Sequence, residues 1–320
     1  MKCLEVTERE DGYDARLIEV EEPRCKHGET LVRVTASGVN RADLSQIAGK
    51  YPPPPGESQI LGLEVSGTVA GTGQRVCALL AGGGHAELAA VPTGQLFPAP
   101  RCMSLVHAAA IPEAFLTAFT NLVVEAKLAR GQTLLVHAGA SGVGLAAIGL
   151  GKLLGVRVAA TTRTKQKIGA LTDAGADLAI DTSAEDFAAA IESRWGPAAV
   201  HVILDPVGAA TLAGNLRILA TGGRVISLAT MSGARVELDL RALMARRARL
   251  IGSMLRGRSR PEKAALVERF QKEVLPAFDG GGLRIAIDSV YPPEEAAAAF
   301  TRMRENRNVG KILIDWMRPG

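Results

Sequence analysis

The sequence predicts an α/β protein: a doubly wound parallel sheet of six strands joined to a separate β-rich domain. Two textures carry that prediction. From Thr133 onward, short β-branched runs ("TLLVHAG", "VRVAATT", "DLAID", "VHVILDP", "GRVISLA" and "RLIGSML") alternate with stretches whose apolar residues recur every three or four positions. Such alternation gives parallel strands with helical crossovers. Before about residue 113, "TLVRVTASGVN", "LEVSGTVAG" and "RVCALLAGGGHAELAAVP" read as short strands broken by glycine and proline, without long helices.

The first crossover helix, "GVGLAAIGLGKLL", places Val143, Ala147, Leu150 and Leu154 on one face and ends at Gly155. "KQKIGALTDAG", "AEDFAAAIESRW", "ATLAGNLRILATGG" and "DLRALMARRA" supply the later crossovers. After Pro261 come a helix, the break "DGGGL", a strand and helix in "IDSVYPPEEAAAAFTRMREN" and a last strand, "VGKILIDW". These pieces are expected to return to the first domain. The predicted division is residues 1–113, the first part of a β-rich catalytic domain; 114–256, a nucleotide-binding domain; and 257–320, the return.

At 320 residues, 47% of them apolar, the chain can build two cores. Its 37 basic residues stand against 33 acidic ones, so no large single-sign field favours nucleic acid. Cys3, Cys25, Cys77 and Cys102 form no Cys-x-x-Cys pair and read as free thiols, which fits a reducing, cytoplasmic setting. The start "MKCLEVTERE" has charges where a signal peptide needs an apolar core. Gly131 to Gly151 carries no charged residue, but its glycines, Ser141 and His137 fit a buried strand and helix better than a membrane span.

The turn after the first of these strands reads Gly139-Ala140-Ser141-Gly142-Val143-Gly144, the G-x-G-x-x-G pattern with Ser141 in the middle position. Following a strand and opening a helix, it puts unpaired N–H groups and the positive end of a helix dipole at one point, which suits a pyrophosphate. Gly139 is expected to permit the tight turn, Ser141 to let backbone approach a phosphate, and Gly144 to allow close helix packing. The domain reads as a Rossmann fold. About 20 residues on, where an Asp or Glu would bind the ribose hydroxyls of NADH, the second strand ends in "TTRTKQK". Thr162, Arg163, Thr164 and Lys167 offer hydroxyls and positive charge suited to a 2′-phosphate, so NADPH is the predicted cofactor.

"TASGVNRADLSQIAGKYPPPPG", "ILGLEVSG", "AAAIPEAFLTAF", "HAGASGVG" and "NVGKILI" resemble the zinc-independent quinone oxidoreductases of the medium-chain dehydrogenase/reductase superfamily. Within them the chain is most similar to the apoptosis-associated NADPH:quinone oxidoreductase branch related to zeta-crystallin. The resemblance covers nearly the whole chain. It implies a GroES-like β-rich domain beside the Rossmann domain, quinone reduction in the cleft between them, and a homodimer whose nucleotide domains pair at exposed strand edges. Zinc-dependent members carry a Cys ligand where Asn40 stands and a His ligand where Leu63 stands, so no metal is expected. Glu64 survives from that pattern and is expected to be structural. Without a Lewis acid, an electron-poor acceptor held against the nicotinamide needs less help than an alcohol.

The candidate catalytic residues are Asn40, whose amide both donates and accepts, and Tyr51, presented by a proline-fixed turn. By the resemblance Thr117 contacts the nicotinamide ribose, and Leu228, Ala229 and Thr230 pass the carboxamide. Ser253, Met254 and Leu255 follow, and Asn308 and Lys311 in "NVGKI" return to the cofactor. Two departures stand out. Asp181-Thr182 replaces an Asn-Tyr pair at the adenosine end, and "VAGTGQRV" shortens a loop.

Two rival functions remain on the sequence. An alkene reductase acting on enones or acyl thioesters would use the same frame. An RNA-binding role would rest on "RALMARRARLIGSMLRGRSR", with seven arginines, and its affinity would fall steeply with salt. A solvated helix face is the competing account of those arginines.

Overall fold

In the second half of the chain the β-branched runs become six parallel strands. They lie in the order Leu178–Asp181, Arg157–Thr162, Thr133–Val136, Val200–Asp205, Leu219–Ser227, Arg249–Gly252. The computed structural model describes residues 1–318. These gather into two units, Met1–Leu116 together with the chain from Leu255 onward, and Thr117–Met254. In the second unit the strand order changes direction between Thr133–Val136 and Val200–Asp205, so the carboxyl ends of these two strands flank the crevice where such sheets bind nucleotides. Leu135, Ile180, Ile203, Phe187, Ile191 and Leu216 form part of its core.

The uncharged stretch Gly131 to Gly151 is the Thr133–Val136 strand, a turn and the Gly142–Leu153 helix. That helix is buried on a broader arc than the single predicted face: Gly144 through Ile148 are buried, whereas Val143 and Leu154 are only half-buried. Small residues explain the difference. A Cβ on Gly151 would meet Val158 at 2.9 Å and Leu134 at 3.1 Å, so the helix lies almost directly on the sheet. Elsewhere, the Leu105–Glu125 helical run is long and apolar enough to cross a membrane by length, and most of it is buried inside the protein.

The first unit holds a seven-stranded, mainly antiparallel sheet and the hairpin of Lys2–Arg9 with Gly12–Glu19. The returning strand Lys311–Asp315 runs antiparallel to Glu29–Val39, with Ile312 opposite Val39, which brings Lys311 beside Asn40. A short helix, Arg41–Ile47, which the sequence reading did not single out, follows the Glu29–Val39 strand; Asn40 opens it, and the Asp43 carboxylate accepts the Asn40 N–H at 2.7 Å. All four cysteines are free, Cys3 and Cys77 buried, Cys25 and Cys102 exposed.

Candidate functional site

In the second unit the glycine-rich turn lies at the end of the Thr133–Val136 strand. Ser141 caps the Gly142–Leu153 helix by accepting the Gly144 N–H at 3.0 Å. The Gly142 and Val143 N–H groups have no acceptor among the described residues and stand at the positive helix end, a cradle for a pyrophosphate. The turn is made differently from expectation. The left-handed residue is Ala138, with φ at 50°, not Gly139. Gly139 stands in a tight space: a Cβ there would meet Ala160 at 3.0 Å and Leu171 at 3.3 Å. Gly144 does allow the close packing foreseen, because a Cβ would meet the Ala138 and Gly139 carbonyl oxygens at 2.6 Å. Ala140 is buried in the same turn.

The adenosine-side candidates cluster at the end of the next strand. Thr162 is buried, Thr164 is half-buried, Lys167 lies in the following turn, and Arg163 is exposed with no ion pair among the described residues. Asp181 is the sheet neighbour of Thr162. Its carboxylate accepts the Ser183 N–H at 3.0 Å and the Ser183 hydroxyl at 2.7 Å, and the hydroxyl bond is the main influence holding its pKa below the usual carboxylate value. The charge is therefore turned onto its own loop. On the other side, Leu228, Ala229 and Thr230 follow the Leu219–Ser227 strand, and a Cβ on Gly208 would sit 3.2 Å from the Thr230 Cα. The Ser253 N–H donates to the Ser227 carbonyl at 2.9 Å, while Met254 is 57% exposed. Thr117 is buried, and its carbonyl accepts from Asn121 at 2.8 Å.

The first unit carries a charged cluster. The Lys311 ammonium donates to Asn40 Oδ1 at 2.6 Å, to the Val39 carbonyl at 3.3 Å and to Glu64 Oε1 in a short contact. Asn40 Nδ2 donates to the Gly38 carbonyl and to Glu64 Oε1, both at 3.0 Å. Both Asn40 amide hydrogens are thus used internally. Only a lone pair on Oδ1 is left, so the dual donor and acceptor role expected of Asn40 narrows to accepting. Glu64 is structural in this geometry: its Oε2 also accepts the Glu113 N–H at 2.8 Å. A Cβ on Gly38 would sit 2.1 Å from Glu64 Oε1, so the pair needs glycine there. Asn308 is buried and its Nδ2 donates to the Gly310 carbonyl at 2.8 Å.

Tyr51 is half-buried on its turn. Arg256, although part of the arginine-rich stretch, is only 3% exposed and donates to the Tyr51 carbonyl at 2.9 Å, Ala81 O at 2.8 Å and Gln46 Oε1 at 2.6 Å. Its guanidinium also lies 5.1 Å from the Tyr51 ring centre. Arg260 pairs with Glu29 at 2.8 Å and Glu57 at 3.1 Å. The stretch is therefore neither one solvated face nor one phosphate-tracking face; the structure divides it between the two units. Leu255 is buried in the first. Sequence reasoning did not single out Arg256, Glu113 or Asp43, because solitary charges carry no spacing signal.

A model of the alcohol dehydrogenase GroES-like domain matches residues 26–101, and one of the zinc-binding dehydrogenase domain matches residues 142–272. The quinone oxidoreductase of Thermus thermophilus, solved alone and with NADPH, is 32% identical, with a TM-score of 0.82 over 98% of this chain and 100% of its own. The chain belongs to the medium-chain dehydrogenase/reductase superfamily. A mycobacterial superfamily structure holding NADPH is 29% identical, with a TM-score of 0.84 over 98% and 99% of the two chains. The rat synaptic vesicle membrane protein VAT-1 homolog is 29% identical over 98% of this chain and 84% of its own.

Zinc is implied by the name of one of the superfamily's domain models, and the residues present do not suit it. Asn40 and Leu63 offer neither thiolate nor imidazole, and an ammonium already lies against Asn40 Oδ1 and Glu64. Among the described residues no three His, Cys, Asp or Glu side chains group as metal ligands.

Proposed function

We propose that this chain is an NADPH-dependent oxidoreductase that reduces quinones without a metal ion. The observation that carries the reading is the end-to-end likeness to a quinone oxidoreductase solved with NADPH, joined to an adenosine side that offers cations and no inward carboxylate. The Gly142 and Val143 N–H groups would hold the pyrophosphate, and Arg163 with Thr162, Thr164 and Lys167 the 2′-phosphate. Thr117, Leu228 to Thr230, Ser253 and Met254 would border the nicotinamide. When bound, NADPH supplies the reducing equivalents from its nicotinamide ring. Tyr51, its backbone pinned by Arg256, would present ring and hydroxyl to the acceptor, and the Asn40 lone pair would face a donor group. Lys311, Asn308 and Leu255 support that wall from within the first unit.

The test is steady-state oxidation of NADPH and NADH with an ortho-naphthoquinone by chelator-treated protein. NADPH should be preferred in kcat/KM by about tenfold or more, which is about 1.4 kcal/mol of transition-state binding. Arg163→Glu should remove most of that preference while leaving the NADH rate within roughly threefold. Reduction of enones but not quinones would move the substrate class to activated alkenes.

The quaternary state is part of the same proposal. Arg249–Gly252 is an edge strand whose Leu250 is 42% exposed, and Leu240 and Met244 on the preceding Leu240–Ala245 helix are 61% and 67% exposed. An open apolar edge of this kind is suited to twofold pairing with a second copy. Light scattering should give the mass of two chains, and the paired change Leu240→Asp with Met244→Asp should give one.

A further inference from the structure

At the crevice between the central strands, His137 sits directly before the left-handed Ala138. It is 2% exposed and belongs to neither group of expected cofactor contacts. Its Nδ1 lies 3.0 Å from the Thr161 hydroxyl and its Nε2 2.8 Å from Asn215 Oδ1. Asn215 Nδ2 donates to Asp205 Oδ2 at 2.7 Å, and the Thr211 hydroxyl donates to the same oxygen at 2.6 Å. Asp205 Oδ1 accepts the N–H groups of Val207 and Gly208 at 2.7 and 3.0 Å.

The protons in this chain have one consistent arrangement. Asp205 is an acceptor, so the Asn215 amide group must donate to it and turn its carbonyl oxygen to His137. His137 then carries its proton on Nε2, and Nδ1 accepts from Thr161. Phe187 packs edge-on at 4.8 Å, and burial holds the imidazole below its ordinary pKa, so it stays neutral.

Both ends of the chain reach expected cofactor contacts. Thr161 precedes Thr162 and Arg163, and its carbonyl accepts the Gly139 N–H of the phosphate turn at 2.8 Å. At the other end, Asp205 and the loop it holds are bonded to the segment that carries the second candidate group: Val207 O accepts the Ser232 N–H at 2.8 Å, and the Leu228 N–H donates to the Asp205 carbonyl at 3.1 Å. The backbone N–H of His137 itself bonds the Leu204 carbonyl at 3.0 Å.

We propose that His137 is a positioning residue for the dinucleotide, a neutral hydrogen-bonded link that fixes the phosphate turn and sets the adenosine-side strand end in register with the nicotinamide-side loop through Asn215 and Asp205. The proposal rests on the NADPH reading. A purely structural His137 would affect melting alone; a positioning one also affects cofactor affinity, and more for a ligand that engages both sides than for one that engages the adenosine side only.

The experiment measures Kd for NADPH and for adenosine 2′,5′-bisphosphate on the intact chain and its His137→Leu, His137→Gln and Thr161→Val variants. His137→Leu should weaken NADPH by about tenfold or more and the bisphosphate by roughly threefold or less, while His137→Gln, which can still donate and accept, stays within about threefold for NADPH. A lowered Tm with unchanged Kd values overturns the proposal, as do equal losses for both ligands. Should His137→Leu fail to fold, Thr161→Val decides: it removes one hydroxyl at constant shape, and an unchanged NADPH Kd overturns the proposal. If the unaltered chain binds no NADPH at all, the cofactor reading falls and takes this proposal with it.

Discussion

Lys311→Met should destabilise the first unit by about 3–5 kcal/mol, the range for removing one partner of a buried ion pair. The Lys311 side chain is 5% exposed and that of Glu64 0%, so solvent screens the pair little. Methionine keeps the length and removes the ammonium, leaving Asn40 Oδ1 without its donor and Glu64 with a charge answered only by Asn40 Nδ2 and the Glu113 N–H. The cost is that of stranding a buried carboxylate. Glu64→Gln added to Lys311→Met removes the stranded charge and should recover more than half of the loss. Urea unfolding of the single and double variants measures both. A single-variant loss below about 1 kcal/mol would show an ion pair energetically like one at the surface, contrary to its burial. The consequence reaches function, because Asn40 is held in place chiefly by Lys311 and Glu64.

The second unit was readable because its sequence signals are local and periodic. Six β-branched runs became six strands, and the glycine-rich turn marked the crevice. Details depending on three-dimensional neighbours were not readable. The crowding at Gly139 comes from Ala160 and Leu171, two side chains remote in sequence, and the left-handed residue is the neighbouring Ala138. The Arg41–Ile47 helix escaped because it is short and opened by the internal Asn40–Asp43 bond, in a region dominated by strand and turn residues. Arg256 looked like one more surface arginine; three acceptors contributed by Gln46, Tyr51 and Ala81 bury it. Likewise the limit on Asn40 follows from Lys311, 271 residues away along the chain. His137 was visible in the sequence as a buried residue, but its chain to Asp205 depends on a helix residue 78 positions further on.

Glu113 should make the protein lose stability as the pH rises from the ordinary carboxylate range to about 8. Its carboxyl is pushed up to about 8, first by desolvation, then by the negative Glu64, with Lys311 pulling the other way and Asp43 adding to the rise. In the unfolded chain the group titrates near an ordinary carboxylate value. Between that value and about 8 the folded protein therefore holds a proton that the unfolded chain has released. The associated stability is complete below the unfolded pKa and is lost progressively until the folded pKa is passed. The slope cannot exceed about 1.4 kcal/mol per pH unit, and because Glu113 is only half-buried, solvent reduces it below that limit. Glu113→Gln cannot ionise, so its stability should fall less between pH 5 and pH 8.5, by about 1–2 kcal/mol relative to the unaltered protein. Urea titrations at the two pH values give the comparison, and parallel losses would falsify the assignment. Lys311 supplies a second check. Removing its positive charge takes away an influence that favours the ionised form of Glu113, so in Lys311→Met the same loss of stability should shift to higher pH.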